Sequence, residues 1–516
     1  MERDPILIVG AGIGGLACAI DLAGQGLPVI VIERAAGPGG KMRECQVGAR
    51  RIDSGPTVLT MRWVFDDLFC SAGSDLDHHV TLHPLDVLAR HFWEDGRRFD
   101  LLADLGAAAD AVGRFAGMQE AARFLSFCIQ SRSVYQTLKG PFLTAARAGP
   151  VALARRIGVT RLGRLAGLRP CESLWNALCA QFQDPRLRQL FGRYATYCGS
   201  SPFRAPATLM LIAHVEREGV WIVEGGMQRL ADALERLGRT LGVGFRYDAE
   251  VSEIVVEGGR AAAVRMVSGE RIAARAIVVN ADAAALVAGC FGEPVRAAAP
   301  VDVTRHRSLS AITWARVARP CGVPLTRHNV FFSGDYAAEF NDLFGHRRVP
   351  GDPTVYLCAQ DRPGRAPGQG ERLLLLINAP ATGDRDGGDG SQTFNEEEMS
   401  RCGDRVRTML GRCGLQLEGD PREMVVTTPR DFHRMFPATG GALYGRTTHG
   451  WRASFQRPGA QTPVPGLYLA GGSTHPGAGV PMAALSGRLA AGHLIEDLVS
   501  TRTFRKEAIA GGMWTG

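Results

Sequence analysis

The sequence encodes an α/β protein, and three of its features say so. A glycine-rich run near the N-terminus follows a short apolar run and opens a helix-like one. A second glycine-rich run near the C-terminus, Gly466-Leu467-Tyr468-Leu469-Ala470-Gly471-Gly472, is set in the same way. Between them, short strand-like runs alternate with amphipathic helical ones. Glycine turns that join strand to helix at both ends predict a parallel sheet whose carboxyl edge receives a phosphate-bearing ligand.

Pro5 to Val9 reads as a buried strand and Leu16 to Gly24 as a helix. Between them the glycines fall as G-x-G-x-x-G at Gly10, Gly12 and Gly15, with Gly14 inside the same turn. In that spacing the first glycine allows a tight turn, the second lets backbone approach a pyrophosphate, and the third packs helix on strand. Free amides at the helix start, with about half a positive charge from the dipole, favour the phosphates. The next strand, Val29 to Ile32, runs into Glu33 and Arg34. Glu33 sits close to the spacing of about 20 residues expected of a carboxylate that takes a ribose hydroxyl. These residues define a Rossmann-type site for a nucleotide containing adenosine, and Glu33 suits NAD and FAD alike. Two further loops follow, Pro38-Gly39-Gly40-Lys41 and Asp53-Ser54-Gly55-Pro56-Thr57. Each alone reads as an ordinary turn, but together they replace the βαβ alternation of a free NAD domain and suit a longer, bent cofactor.

Further along, Thr208 to Glu218 and Gln228 to Leu241 read as helices, the second with Leu230, Leu234, Leu237 and Leu241 near a 3.6-residue period. Strands are predicted at Phe245 to Tyr247, Val251 to Val256, Ala262 to Val267 and Ala276 to Val279. The last runs into Asn280-Ala281-Asp282 and an alanine-rich helix, a return to the nucleotide domain. Leu309 to Val317, Thr354 to Ala359 and Arg372 to Asn378 predict a second sheet, followed by a polar loop from Gly383 to Gln392. Met424 to Thr428 and Gly466 to Ala470 supply the closing strands.

A chain of 516 residues, 45% hydrophobic and 22% charged, matches a globular protein of two or three units. Met1-Glu2-Arg3-Asp4 is no secretory signal, and no apolar run is long enough to cross a bilayer. The twelve cysteines contain no C-x-x-C pair, so neither a zinc site nor a disulfide framework is indicated, and a reducing cytosol is expected. No metal is expected. Net charge is +7, and its distribution is uneven. From Ala121 to Cys171 there is no Asp or Glu, while Arg123, Arg132, Lys139, Arg147, Arg155, Arg156, Arg161, Arg164 and Arg169 are interleaved with apolar residues. This pattern reads as an interfacial segment lying on anionic lipid, each basic residue near the surface being worth about 1 kcal/mol. A solvated helical face is the alternative. Nucleic acid is disfavoured, since stacking aromatics are few and no recognition motif is present.

The fingerprint, PGGK, DSGPT, GVWIVEGG, Asn280-Ala281-Asp282 and LYLAGGSTHPGAGVPMAALSG together resemble the phytoene-desaturase type of carotenoid desaturase, nearly end to end. Within that family, Leu209 to Arg229 and the run FPATGGALYG from Phe436 are most similar to the hydroxyneurosporene (methoxyneurosporene) desaturases of purple phototrophic bacteria. The resemblance implies FAD as cofactor and a flavoprotein amine-oxidase-like fold. It implies FAD-binding parts at 1–100, 210–300 and 425–516, a helical, membrane-facing substrate segment at 101–209, and a mixed-sheet substrate domain at 301–424. The substrate would be an acyclic carotenoid carrying a tertiary hydroxyl or methoxyl, and the product would gain a 3,4 double bond. The protein would be cytoplasmic and peripherally bound to the inner membrane, with quinone or oxygen as electron acceptor.

By the same resemblance, Gly10, Gly12 and Gly15 would face the pyrophosphate of FAD and Glu33 the adenosine ribose, with Gly14 and Arg34 also binding the cofactor. Gly40, Lys41, Gly55, Pro56 and Thr57 would line the cofactor, and Val251 would meet adenine through its backbone. Asn280 and Asp282 would adjoin it as well. Gly471, Gly472, Gly479, Val480, Pro481 and Met482 would contact pyrophosphate, ribityl chain and flavin ring. Ser473 and Met482 depart from the pattern of many relatives, which carry glycine at both positions. His475 is a proton-acceptor candidate inside the closing motif, although a histidine in a Gly-Pro loop more often has a structural role. Asp431, His433, His214 and Glu216 are further candidates. Trp221, Phe332, Tyr336, Phe432 and Trp451 are candidates for lining a polyene tunnel. Rival readings are a phytoene desaturase, a carotenoid isomerase or an amine oxidase of the same fold, and a lipid-binding carrier that has lost its flavin.

Overall fold

In the computed structural model the chain is described over residues 4–158, 167–364, 370–385, 394–420 and 422–510, the last ten as backbone only. Arg161, Arg164 and most of the loop from Gly383 to Gln392 lie outside the described residues.

The first sheet has five strands, all parallel, in the order Leu467–Leu469, Ala276–Val279, Ile6–Val9, Val29–Ile32, Gly244–Arg246. Ile6–Val9 and Ala276–Val279 are buried at every position, as central parallel strands covered on both faces must be. The order brings the start, middle and end of the chain side by side. Helix Ile13–Gly24 is buried along most of its length, and the closing helix Val480–Ala510 packs against it at very close range. A Cβ on Gly487 would stand 2.0 Å from the carbonyl oxygen of Gly14, so only glycine permits this approach. Helix Gln228–Thr240 covers the same face with Leu230, Leu234 and Leu237 buried.

A larger mixed sheet of eight strands stands beside it. Its backbone is the long strand Ser310–Gly322, which pairs antiparallel with Glu371–Ala379, Leu415–Glu418 and Met424–Thr427. Val355–Ala359 and His328–Phe331 extend it, and His328–Phe331 pairs parallel with Val87–Phe92. Residues 87–102 therefore pair within this sheet, whereas a boundary at residue 100 assigns 87–100 to the nucleotide-binding part. Their partner strand lies more than two hundred residues downstream, a separation no local pattern reveals. A three-stranded antiparallel sheet, Val251–Glu257, Arg260–Met266 and Arg271–Ala273, flanks the first one.

The third part is helical. Leu105–Ala116, Met118–Leu138, Pro150–Ile157, Leu174–Gln181 and Pro185–Gly192 pack around an aromatic cluster in which Phe127 lies 4.7 Å from Phe191 and 5.3 Å from Phe182. The helix expected over Thr208 to Glu218 begins instead as a 3-10 turn, Ala207–Met210, and continues as Leu211–Arg217. Among the described residues no helix is long and apolar enough to cross a membrane.

Candidate cofactor and substrate site

One cavity of about 720 Å³ runs between the parallel sheet, the mixed sheet and the helical part. Every predicted cofactor residue except Gly15 lines it. Gly15 is a packing position: its Cβ would lie 2.2 Å from the carbonyl oxygen of Gly10, where the helix crosses the strand. It holds the turn from behind instead of facing a ligand.

The glycine turn is built around Asn280. Its side-chain amide donates to the carbonyl of Gly10 at 3.2 Å. A Cβ on Gly12, Gly14 or Gly471 would come within 2.8 Å of its side-chain amide atoms. Gly471 also has φ +110°, a conformation side chains rarely adopt. Three distant segments thus meet around the Asn280 side chain, where Gly12, Gly14 and Gly471 leave no room for a Cβ.

Glu33 ends its strand with its carboxylate accepting from the N–H of Ala11 at 2.7 Å and of Ala35 at 2.8 Å. Each carboxylate oxygen keeps a second lone pair, and Glu33 lines the cavity. Asp282 accepts from the N–H of Ala284 at 3.0 Å, while its other oxygen is buried without a partner in the described structure. Lys41 donates from Nζ to the carbonyl of Leu443 at 2.7 Å, and burial lowers its pKa. Arg457 is buried and donates to the carbonyls of Tyr444 at 3.0 Å and Gly472 at 3.1 Å, fixing the closing loop. Ser473 has a local purpose: its hydroxyl accepts from the N–H of Ala283 at 3.1 Å, tying the closing loop to the segment after Asn280.

Beyond the glycine turns the wall changes. Leu138, Phe142, Leu143, Leu153 and Leu209 give it an apolar flank from the helical part. Arg193, Tyr197, Glu216, Tyr336, Glu339 and Tyr356 give it a polar one. Glu339 accepts from the hydroxyls of Thr354 at 2.6 Å and Ser333 at 2.7 Å, and burial pushes its pKa up to about 7.

His475 does not line the cavity. It is buried, its Nε2 is 3.0 Å from the carbonyl oxygen of Ala145, and its ring meets Phe142 edge-on at 4.8 Å. It fastens the helical part to the closing loop. Asp431 completes a capping box with Thr428, His433 accepts from the N–H of Gly440 at 3.2 Å, and His214 faces Glu218 at 3.2 Å. Of all these candidates only Glu216 reaches the cavity. Among the tunnel aromatics, Tyr336, Phe432 and Trp451 line it, whereas Phe332 stacks on Trp93 at 5.3 Å and Trp221 lies under Arg62 at 5.1 Å.

The residues present fit FAD. Glycine turns at a helix start suit a pyrophosphate. Glu33 and the unpartnered oxygen of Asp282 offer acceptors for cofactor hydroxyls. Fold and site together define a flavin-dependent oxidoreductase. The family model of flavin containing amine oxidoreductase matches residues 13–495. A hydroxyneurosporene desaturase of Rubrivivax gelatinosus is 49% identical over 99% of this chain and 97% of its own length. One from Cereibacter sphaeroides is 45% identical over 96% and 98%. A zeta-carotene-forming phytoene desaturase of Myxococcus xanthus is 31% identical over 94% and 92%. An oxidoreductase structure from Methanosarcina mazei shares the fold, with a TM-score of 0.61 at 17% identity over 94% of this chain and 99% of that one. The chain belongs to the flavin-containing amine oxidoreductase family and, within it, to the carotenoid desaturases.

Proposed function

We propose that the chain removes two hydrogens from a CH2–CH2 unit beside the polyene of 1-hydroxyneurosporene or its methoxy derivative, creating the 3,4 double bond. One observation carries this reading: a single cavity joins the glycine cradle to an apolar flank and a polar one. Such a wall suits a long hydrocarbon with oxygen at one end. The relatives at 49% and 45% identity are named for such a substrate, and the phytoene desaturase is more distant at 31%.

Bound FAD supplies the hydride acceptor. The chain's part is to hold, orient and keep dry. Gly10, Gly12, Gly14, Gly471, Gly472 and Gly479 form the phosphate cradle, with Gly15 behind it, and Glu33 and Asp282 accept from hydroxyls. Arg34, Gly40, Lys41, Gly55, Pro56, Thr57, Val251, Val480, Pro481 and Met482 enclose the remainder. Apolar walls exclude water and align the chain of the substrate. Burying roughly 400 Å² of polyene at about 25 cal/mol per Å² contributes on the order of 10 kcal/mol, which offsets extraction from a bilayer. Positive charge left beside a polyene is delocalised, so a weak proton acceptor suffices. Quinone or oxygen then takes the electrons.

The entrance lies in the helical part. Met118 and Ile129 are 76% and 70% exposed and share one face of their helix with Leu125. Val151, 68% exposed, sits on the next helix, whose Leu153 lines the cavity. Exposed apolar residues with Arg132 and Arg155 nearby suit contact with an anionic lipid surface. Arg147 and Arg156 are spent on the carbonyls of Phe455 and Ala146 and add less to that surface than the basic run suggests.

Product analysis with 1-hydroxyneurosporene, neurosporene and phytoene tests the substrate. The oxygenated carotenoid is expected to lengthen its chromophore by one double bond. Conversion of phytoene alone would overturn the reading.

A further inference from the structure

Away from the glycine cradle, the cavity wall holds buried polar groups that the mechanism above leaves unused. Glu216 accepts from the hydroxyls of Tyr194 at 2.6 Å and Tyr197 at 2.5 Å. Arg193 donates from Nη2 to Tyr197 Oη at 3.0 Å. Two atoms of this group are left over. Arg193 Nε and Tyr336 Oη are buried, belong to residues lining the cavity, and have no hydrogen-bond partner in the described structure. Unpaired buried donors are costly, and a hydrocarbon offers them nothing. An ether or alcohol oxygen offers two lone pairs.

The position of the group fits such an oxygen. Tyr356 Oη stands 2.7 Å from Thr57 Oγ1 and 2.7 Å from His328 Nδ1. Thr57 belongs to the loop that lines the cofactor end, so the polar groups begin directly beside it. In the proposed substrate the oxygen on C1 and the 3,4 bond are separated by only about 4 Å of covalent chain. A receptor for that oxygen must therefore adjoin the cofactor, and the polar flank does.

We propose that Arg193 and Tyr336 form the receptor for the oxygen-bearing end of the substrate, donating from Nε and Oη to its lone pairs. The proposal rests on the carotenoid desaturase reading above. Donors alone accept hydroxyl and methoxyl equally, since both present an acceptor oxygen and only the hydroxyl also donates. Tyr336 and Arg193 thereby set specificity for an oxygenated terminus over a bare hydrocarbon one.

The test is competition in the purified FAD-loaded enzyme, between 1-hydroxyneurosporene as substrate and neurosporene as competitor. In Tyr336→Phe the concentration of neurosporene that halves turnover is expected to fall about tenfold relative to wild type. FAD content should be unchanged. The ring contacts of Tyr336 with Trp175, Phe203 and Phe340 survive in phenylalanine, so this variant keeps the packing. Arg193→Lys is expected to act in the same direction, and the methoxy substrate to lose in parallel. Unchanged competition in Tyr336→Phe, at full FAD content, would overturn the receptor. A wild-type enzyme that converts no oxygenated carotenoid would instead overturn the functional reading beneath it.

Discussion

Two parts of the one cavity wall are built by opposite means. The glycine turns, at residues 10–14 and 471–472, present mainly backbone. The polar flank presents side chains: Arg193, Glu216, Tyr336, Glu339 and Tyr356 come from separate helices, a turn and a strand. Backbone recognition demands glycine at fixed spacing, and it fails completely when a single Cβ intrudes. Side-chain recognition is graded, because each group contributes alone and neighbours can take up part of its task.

That contrast can be broken at several points. The largest effect is expected from Gly12→Val, which brings a branched side chain into a cradle where even a Cβ would lie 2.8 Å from the amide nitrogen of Asn280. FAD content of the purified variant, read from its visible absorbance, should fall about tenfold or more. Normal FAD content would show that the glycine turn does not hold the cofactor.

Glu339 tests the polar end by a different route. Folding raises its pKa from 4.5 to about 7, chiefly through burial. Between those values the folded chain holds a proton that the unfolded chain has released. Stability is therefore lost as pH rises through that window, by at most about 3 kcal/mol. Glu339→Gln should flatten this slope, measured as the urea midpoint against pH. An identical slope in the variant would remove Glu339 as its source.

The smallest effect concerns the entrance. Ile129→Glu combined with Val151→Glu should weaken co-sedimentation with anionic vesicles by roughly tenfold, as expected from losing the burial of two apolar side chains. FAD content and soluble activity in detergent should persist. Unchanged vesicle binding would detach the membrane proposal from these helices.

The same contrast explains what the sequence disclosed. Gly10, Gly12 and Gly15, Glu33 and the strand running into Asn280 were legible because backbone geometry constrains residue type at fixed offsets. The spacing also marks Gly15 as the glycine that packs helix on strand, which it does, while Gly14 lines the cavity. The pairing of Val87–Phe92 with His328–Phe331 was invisible, because a strand carries no mark of a distant partner. His475 drew attention by lying in a motif, yet it turns toward Ala145. Arg193, Tyr194 and Tyr197 drew none, although three large polar side chains on one short turn, with Glu216 nearby in the chain, were a signal of a buried network.

The contact between Gly487 and Gly14 has a consequence for synthesis. The glycine turn at residues 10–15 is synthesised more than 450 residues before Gly487, the neighbour that packs on it. Until then the fingerprint is a floor without a wall. The nascent chain should therefore emerge in apo form and take up FAD only once the segment through Gly487 has emerged. Ribosome-bound chains stalled before residue 480 should remain colourless, which makes flavin loading a checkpoint that only chains carrying the closing helix pass.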